Sequence, residues 1–104
     1  MVRELVYAPQ AVADLEEIYR FIAKDSPERA ARFVADIRRR CRVLQDIPEL
    51  GPARPAFGRG VRIYPMRRRV VVVYVVTTST IDVLRVFYAG RDYETVMAGD
   101  GQDT

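Results

Sequence analysis

Hydrophobic positions change their period several times along this 104-residue chain, and each change marks an element. Val2 to Tyr7 is a β-branched and aromatic run closed by Ala8-Pro9, the pattern of a first strand. From Gln10 the spacing becomes three and four: Val12, Leu15, Ile18, Tyr19 and Ile22 form a stripe, while Asp14, Glu16, Glu17 and Arg20 fill the other face. This predicts an amphipathic helix to about Lys24. Asp25-Ser26-Pro27-Glu28 then restarts the pattern. Ser26 can cap a second helix through its hydroxyl, Pro27 suits the first helical position, and Glu28 favours the first turn. The second stripe is Ala30, Phe33, Val34, Ile37, Cys41 and Leu44, with Arg32, Asp36, Arg38, Arg39, Arg40 and Arg42 largely off it. Pro48 and Gly51-Pro52 stop this helix near Asp46. So short a link between the helices predicts an antiparallel αα-hairpin.

Three prolines and three glycines between residues 48 and 60 mark an ordered surface loop. Three strands follow: Val61 to Pro65, with the proline at a strand end or sheet edge, then Val70 to Val76, then Ile81 to Tyr88. Their links are short enough for hairpins. A helical turn or two is expected from Arg91 to Met97, and residues 99–104 read as a flexible tail. The fold class is α+β, with order β-αα-βββ, a helical hairpin on a mostly antiparallel sheet, and a short C-terminal helical segment. Residues 1–98 make one domain.

The run Val70-Val71-Val72-Val73-Tyr74-Val75-Val76 is apolar at odd and even positions alike, so both faces of that strand require burial. One αα-hairpin covers one face. The other needs the C-terminal segment, a second copy or a partner, and the shortness of that segment favours a partner. The free chain is therefore expected to self-associate, and an acidic amphipathic segment is expected over the sheet near Tyr74 and Arg85.

Composition narrows the chemistry. There is no histidine and only one cysteine, Cys41. Serine–histidine and cysteine–histidine catalysis are excluded, as is a zinc site of the usual kind. No glycine-rich phosphate loop occurs. No cofactor, metal or membrane span is expected, and with no signal-peptide pattern the expected location is cytoplasmic.

Charge is segregated. Residues 1–50 hold nine basic and nine acidic side chains, residues 51–91 have a net charge of +7, and the remainder −4, which together give +3. A segment this basic points to an acidic partner, nucleic acid or protein.

Several segments together resemble the ParE/RelE toxin superfamily, nearer ParE. Leu5 to Tyr19 is similar to the opening strand and A-x-x-D-L-x-x-I helix of ParE toxins. Asp25 to Ala31 resembles the interhelix cap, and Ile47-Pro48-Glu49-Leu50-Gly51 the P-x-L-G turn that precedes Val61-Arg62. Val71-Val72-Val73-Tyr74, Ile81 to Val86 and Gly90-Arg91-Asp92 are similar to the closing signatures. The resemblance spans residues 2–97. It implies a RelE-like fold and a toxin that binds its target rather than an enzyme. It also implies inhibition of DNA gyrase, neutralisation by a ParD-type antitoxin in a hetero-oligomer, a role in plasmid stabilisation, and no direct specific DNA binding by the toxin alone.

RelE relatives instead cut mRNA on the ribosome with basic residues and a late tyrosine. Arg91 matches one such arginine, but Val71 and Met97 stand where a second arginine and the tyrosine are expected. Loss of both removes most of the equipment for phosphodiester cleavage. A ribosome-dependent ribonuclease is thus the alternative, and an inactive remnant that binds only antitoxin a further one. No catalytic residue is assigned. Arg91, Asp92, Arg85 and Arg62 are candidates for target binding, and Tyr74, Tyr88, Val72, Leu15 and Tyr19 for antitoxin binding.

Overall fold

The computed structural model describes residues 2–67, 69–89 and 93–102, with side chains described to Ala98. Arg91 and Asp92 lie outside the described residues. A short strand β1 (Glu4–Tyr7) leads into helix α1 (Pro9–Ala23), helix α2 (Pro27–Cys41) and a single turn α3 (Val43–Asp46). After a loop containing a 3₁₀ turn at Pro55–Phe57 come β2 (Val61–Met66), β3 (Val70–Val76), β4 (Thr80–Tyr88) and helix α4 (Tyr93–Gln102).

The restart between the helices follows local chemistry. Ser26 Oγ accepts a hydrogen bond from the Arg29 amide at 3.2 Å, Pro27 takes a first-turn position, and Glu28 sits in the first turn. The second helix breaks once, at Arg42, before α3 completes it. The last helix exceeds the expected turn or two. It runs through residues 99–102 of the segment read as a flexible tail, and residues 103–104 lie outside the described residues.

The four strands have the order β1-β4-β3-β2. β2 with β3 and β3 with β4 are antiparallel, while β1 runs parallel to β4 from Glu4↔Thr80 to Tyr7↔Val83. Pro65 falls in β2, an edge strand, and is exposed there, where a missing amide donor costs the sheet nothing. The register between β3 and β4 shifts at Val73/Tyr74, leaving Leu84 as the extra residue of a bulge.

The helical hairpin covers one face. Ala11, Leu15, Ile18 and Ile22 of α1 and Ala30, Ile37 and Cys41 of α2 pack with Met66, Val70, Val72, Val83 and Val86 of the sheet. Each fully buried aliphatic side chain here contributes about 1.5–3 kcal/mol of transfer free energy. The opposite face is closed by the chain itself, which corrects the expectation of a sheet left open for a partner. Met97 of α4 and Phe57 of the 3₁₀ turn bury Val61, Ile63, Val73 and Phe87. Tyr93 adds ring contacts to Phe57 and Phe87, each with centroids 6.1 Å apart, and Arg54 ties the layer to α4 through Glu94 at 2.8 Å. The expectation failed because the short C-terminal segment covers much of the face through Tyr93, Val96 and Met97, and the loop supplies Phe57 as a second cover.

Candidate functional site

β1 pairs with β4 only as far as Val83, so among the described residues the outer edge of β4 from Leu84 onward has no strand beside it. Helix α1 starts there, and Asp14 fills the gap. Its carboxylate accepts from the Val86 amide at 2.9 Å and from Arg85 at Nε (2.8 Å) and Nη2 (3.1 Å). Both side chains are largely buried, and the Arg85 guanidinium also lies 4.8 Å from the Phe87 ring centre. The carboxylate does for one amide what a neighbouring strand's carbonyl would do, with the arginine balancing its charge.

Beside this pair, α1 and the free end of β4 enclose a groove of about 220 Å³ lined by Asp14, Glu17, Ile18, Phe21, Val86, Tyr88 and Ala89. Phe21 is 58 % exposed and meets Tyr88 edge-on, with centroids 6.0 Å apart. An exposed aromatic over an apolar trough next to an unpaired strand edge is suited to docking a peptide segment.

The target and antitoxin candidates among the described residues disperse over the structure. Tyr88 lines the groove, and Tyr19 is exposed on α1. Tyr74, Val72 and Leu15 are core residues with 0 %, 0 % and 2 % of their surface exposed, so they offer nothing for a partner to touch. The alternation along β3 points Val72 and Tyr74 to the side covered by the helices and the loop. Tyr74 Oη accepts from the Gly51 amide at 2.9 Å and donates to the Pro48 carbonyl at 2.7 Å, so it staples the Pro48–Gly51 turn onto the sheet. Burial raises its pKa above the ordinary tyrosine value, against the opposing Gly51 hydrogen bond.

Arg62 belongs to the same staple. It donates to the Gly51 carbonyl at 2.8 Å and to that of Glu49 at 3.4 Å. A Cβ at Gly51 would lie 2.0 Å from the Ile63 carbonyl oxygen, so only glycine allows this approach. Arg85 and Arg62, offered as target contacts, thus both have structural partners, Asp14 for the first and the Gly51 carbonyl for the second.

Two acids assigned to polar helix faces are buried instead. Asp14 continues the spacing Ala11, Leu15, Ile18, and that position inside the stripe was the available signal. Asp36 sits one residue before Ile37, with Arg40 at 3.0 Å, Arg67 at 2.5 Å and Arg39 also bonded. The Arg67 and Arg40 hydrogen bonds hold its carboxyl below the usual carboxylate value. The groove residues Phe21, Val86 and Ala89 were not legible as a site, since a lone aromatic on a polar face carries no pattern.

No helix among the described residues is long and apolar enough to cross a membrane. No curated protein matches the chain. Among solved structures, a chromosomal ParDE toxin–antitoxin system from Pseudomonas aeruginosa is similar, with TM-score 0.71, 29 % identity, and 85 % of this chain and 97 % of that chain covered. A conserved hypothetical protein from Helicobacter pylori, solved in solution, matches with TM-score 0.44 and 16 % identity, covering 85 % of this chain and 94 % of that one. The family model for the ParE toxin of the type II toxin–antitoxin system parDE matches residues 5–93. That match takes in the strand, the helical hairpin with Asp14, the Tyr74 staple and the whole sheet, and by it the chain belongs to the ParE toxin family.

Proposed function

We propose that this chain is an active toxin that inhibits DNA gyrase and so blocks replication, and that a ParD-type antitoxin neutralises it. Family membership over residues 5–93 carries the reading, and the likeness to a ParDE system supports an antitoxin of the ParD kind. Action by binding rather than by catalysis is supported by the positions where RelE relatives place cleavage residues. Val71 is half-buried on the sheet and Met97 of α4 is buried against it, both apolar. Neither can hold a proton or stabilise a phosphorane.

The groove between α1 and the free end of β4 is the surface we assign to the antitoxin, with Phe21 and Tyr88 as anchors. Arg91 and Asp92 remain the proposed contacts to the target. The location that goes with this activity is the cytoplasm.

The test is a supercoiling and cleavage-complex assay with purified gyrase. Blocked supercoiling with trapped, cleaved DNA, relieved by a ParD-type antitoxin, is the expected result. An active gyrase left untouched by the protein refutes the reading. Arg91→Ala should reduce the inhibition only in part, and Phe21→Asp should weaken capture by the antitoxin while leaving gyrase inhibition intact.

A further inference from the structure

A second concavity lies on the helical side of the molecule, where α2 faces the β2–β3 turn. This cleft of about 910 Å³ is lined by Arg29, Arg32, Arg67 and Arg69, with Ile22, Phe33 and Tyr88 as its apolar part. One of the four arginines is fixed in place. Arg67 has a left-handed backbone (φ 54°), its guanidinium lies 4.8 Å from the Phe33 ring centre, and Asp36 holds it by a hydrogen bond. Asp36 is already shared among Arg39, Arg40 and Arg67. Arg29, Arg32 and Arg69 have no acidic partner among the described residues.

Arg29 and Arg32 stand three apart on α2, so their side chains leave the same face of the helix, and Arg69 comes from the hairpin turn. Like charges gathered without a counter-ion repel one another, and an incoming polyanion relieves that repulsion. Guanidinium groups grip phosphate through two parallel hydrogen bonds. The cleft is larger than a single carboxylate side chain needs, and its aromatic wall gives a nucleobase or sugar a surface to pack on. Arginines that follow a backbone beside aromatic rings are the means by which proteins hold single strands without reading sequence.

We propose that this cleft binds a single-stranded nucleic acid segment, with its phosphates on Arg29, Arg32 and Arg69 and a base against the Phe33–Tyr88 wall. The site is separate from the sheet face that carries Val71 and Met97, and the inference does not depend on gyrase being the target.

The test is fluorescence anisotropy of the purified full chain with a labelled oligothymidylate of about 20 nucleotides. Salt is varied between about 50 and 200 mM NaCl. Arg29→Gln/Arg32→Gln is compared with a charge-matched control, Arg42→Gln/Arg59→Gln, whose residues are exposed away from the cleft. The cleft variant should bind roughly ten-fold more weakly at the lowest salt, with the slope of log K against log salt shallower by about 1.4, while the control changes little. Arg69→Gln should lose about half as much of the slope. Superimposable thermal melts show that the variants fold. No binding by the parent chain, or equal weakening in both double variants, overturns the proposal. So does displacement by polyglutamate as effective as by unlabelled oligothymidylate, which would make the cleft a seat for an acidic peptide.

Discussion

Asp14→Asn puts the closure of the β4 edge to a quantitative test. The native carboxylate accepts from Arg85 Nε, Arg85 Nη2 and the Val86 amide at 2.8, 3.1 and 2.9 Å. The amide keeps one acceptor oxygen and turns an NH₂ toward a guanidinium. It also takes the negative charge away from the Nε and Nη2 of a largely buried arginine. Breaking a buried pair by removing one partner costs about 3–5 kcal/mol. The side chains keep 9 % and 15 % of their surface, which lets some water return and sets the expectation near the lower end. A loss of about 3 kcal/mol is a large part of the roughly 5–15 kcal/mol that holds a domain of this size. It corresponds to a melting temperature lower by roughly 12 °C or more. Arg85→Met keeps the aliphatic stem and should cost about 2 kcal/mol, since Asp14 retains the Val86 amide. In the double variant the losses should fall short of their sum by about 2 kcal/mol. Urea unfolding at neutral pH, followed by circular dichroism, measures all four corners of the cycle. A loss below about 1 kcal/mol for Asp14→Asn, or additive single effects, would show that water already carries this contact and that the edge is closed by something else.

Four further outcomes follow from the same structure. Gly51→Ala should destabilise by about 3 kcal/mol or more, because its Cβ would meet backbone rather than a movable side chain, and Tyr74→Phe by about 1–3 kcal/mol from two lost hydrogen bonds; thermal melting checks both. The Cys41 thiol, pushed up to about 11 by burial, should react with a thiol reagent at neutral pH only through the opened chain, so labelling should be slow in buffer and accelerate with urea. The carboxyl of Asp36 titrates below its ordinary value of 3.8, so its contribution is present above that value and is lost as pH falls through the lower folded one; the stability gap between the parent and Asp36→Asn should be constant from neutral pH to about 5 and close below 3.8.

Periodicity was a faithful guide wherever one face of an element meets water. The α1 and α2 stripes, the Ser26 cap and the β-branched runs of the three hairpin strands between turn residues are legible because periodicity, capping and strand composition are local. What escaped was non-local. Asp14 and Asp36 were read as polar-face residues because charge normally means solvent, yet each is held inside by arginines distant in sequence, Arg85 and Arg67. The partners of Arg62 are backbone carbonyls of the Pro48–Gly51 turn, and no side-chain pattern reveals a carbonyl's direction. The covering of the second sheet face depends on Phe57 from a loop and on Tyr93, Val96 and Met97 of α4, whose weak amphipathic pattern does not show which side packs. Tyr88 was the one groove residue offered beforehand as an antitoxin contact.

The parallel pairing of the first strand has a consequence for synthesis. β1 has no neighbour but β4, whose first paired residue, Thr80, leaves the ribosome long after Glu4. The Asp14 carboxylate likewise waits for Arg85 and Val86. Contacts this far apart form late and slowly. The nascent helical hairpin can assemble early, but with one apolar face uncovered and its opening strand unpaired. A chain cut short before β4 is therefore a fragment and not a weakened toxin, so competence to act arrives only once β4 has been made rather than by degrees.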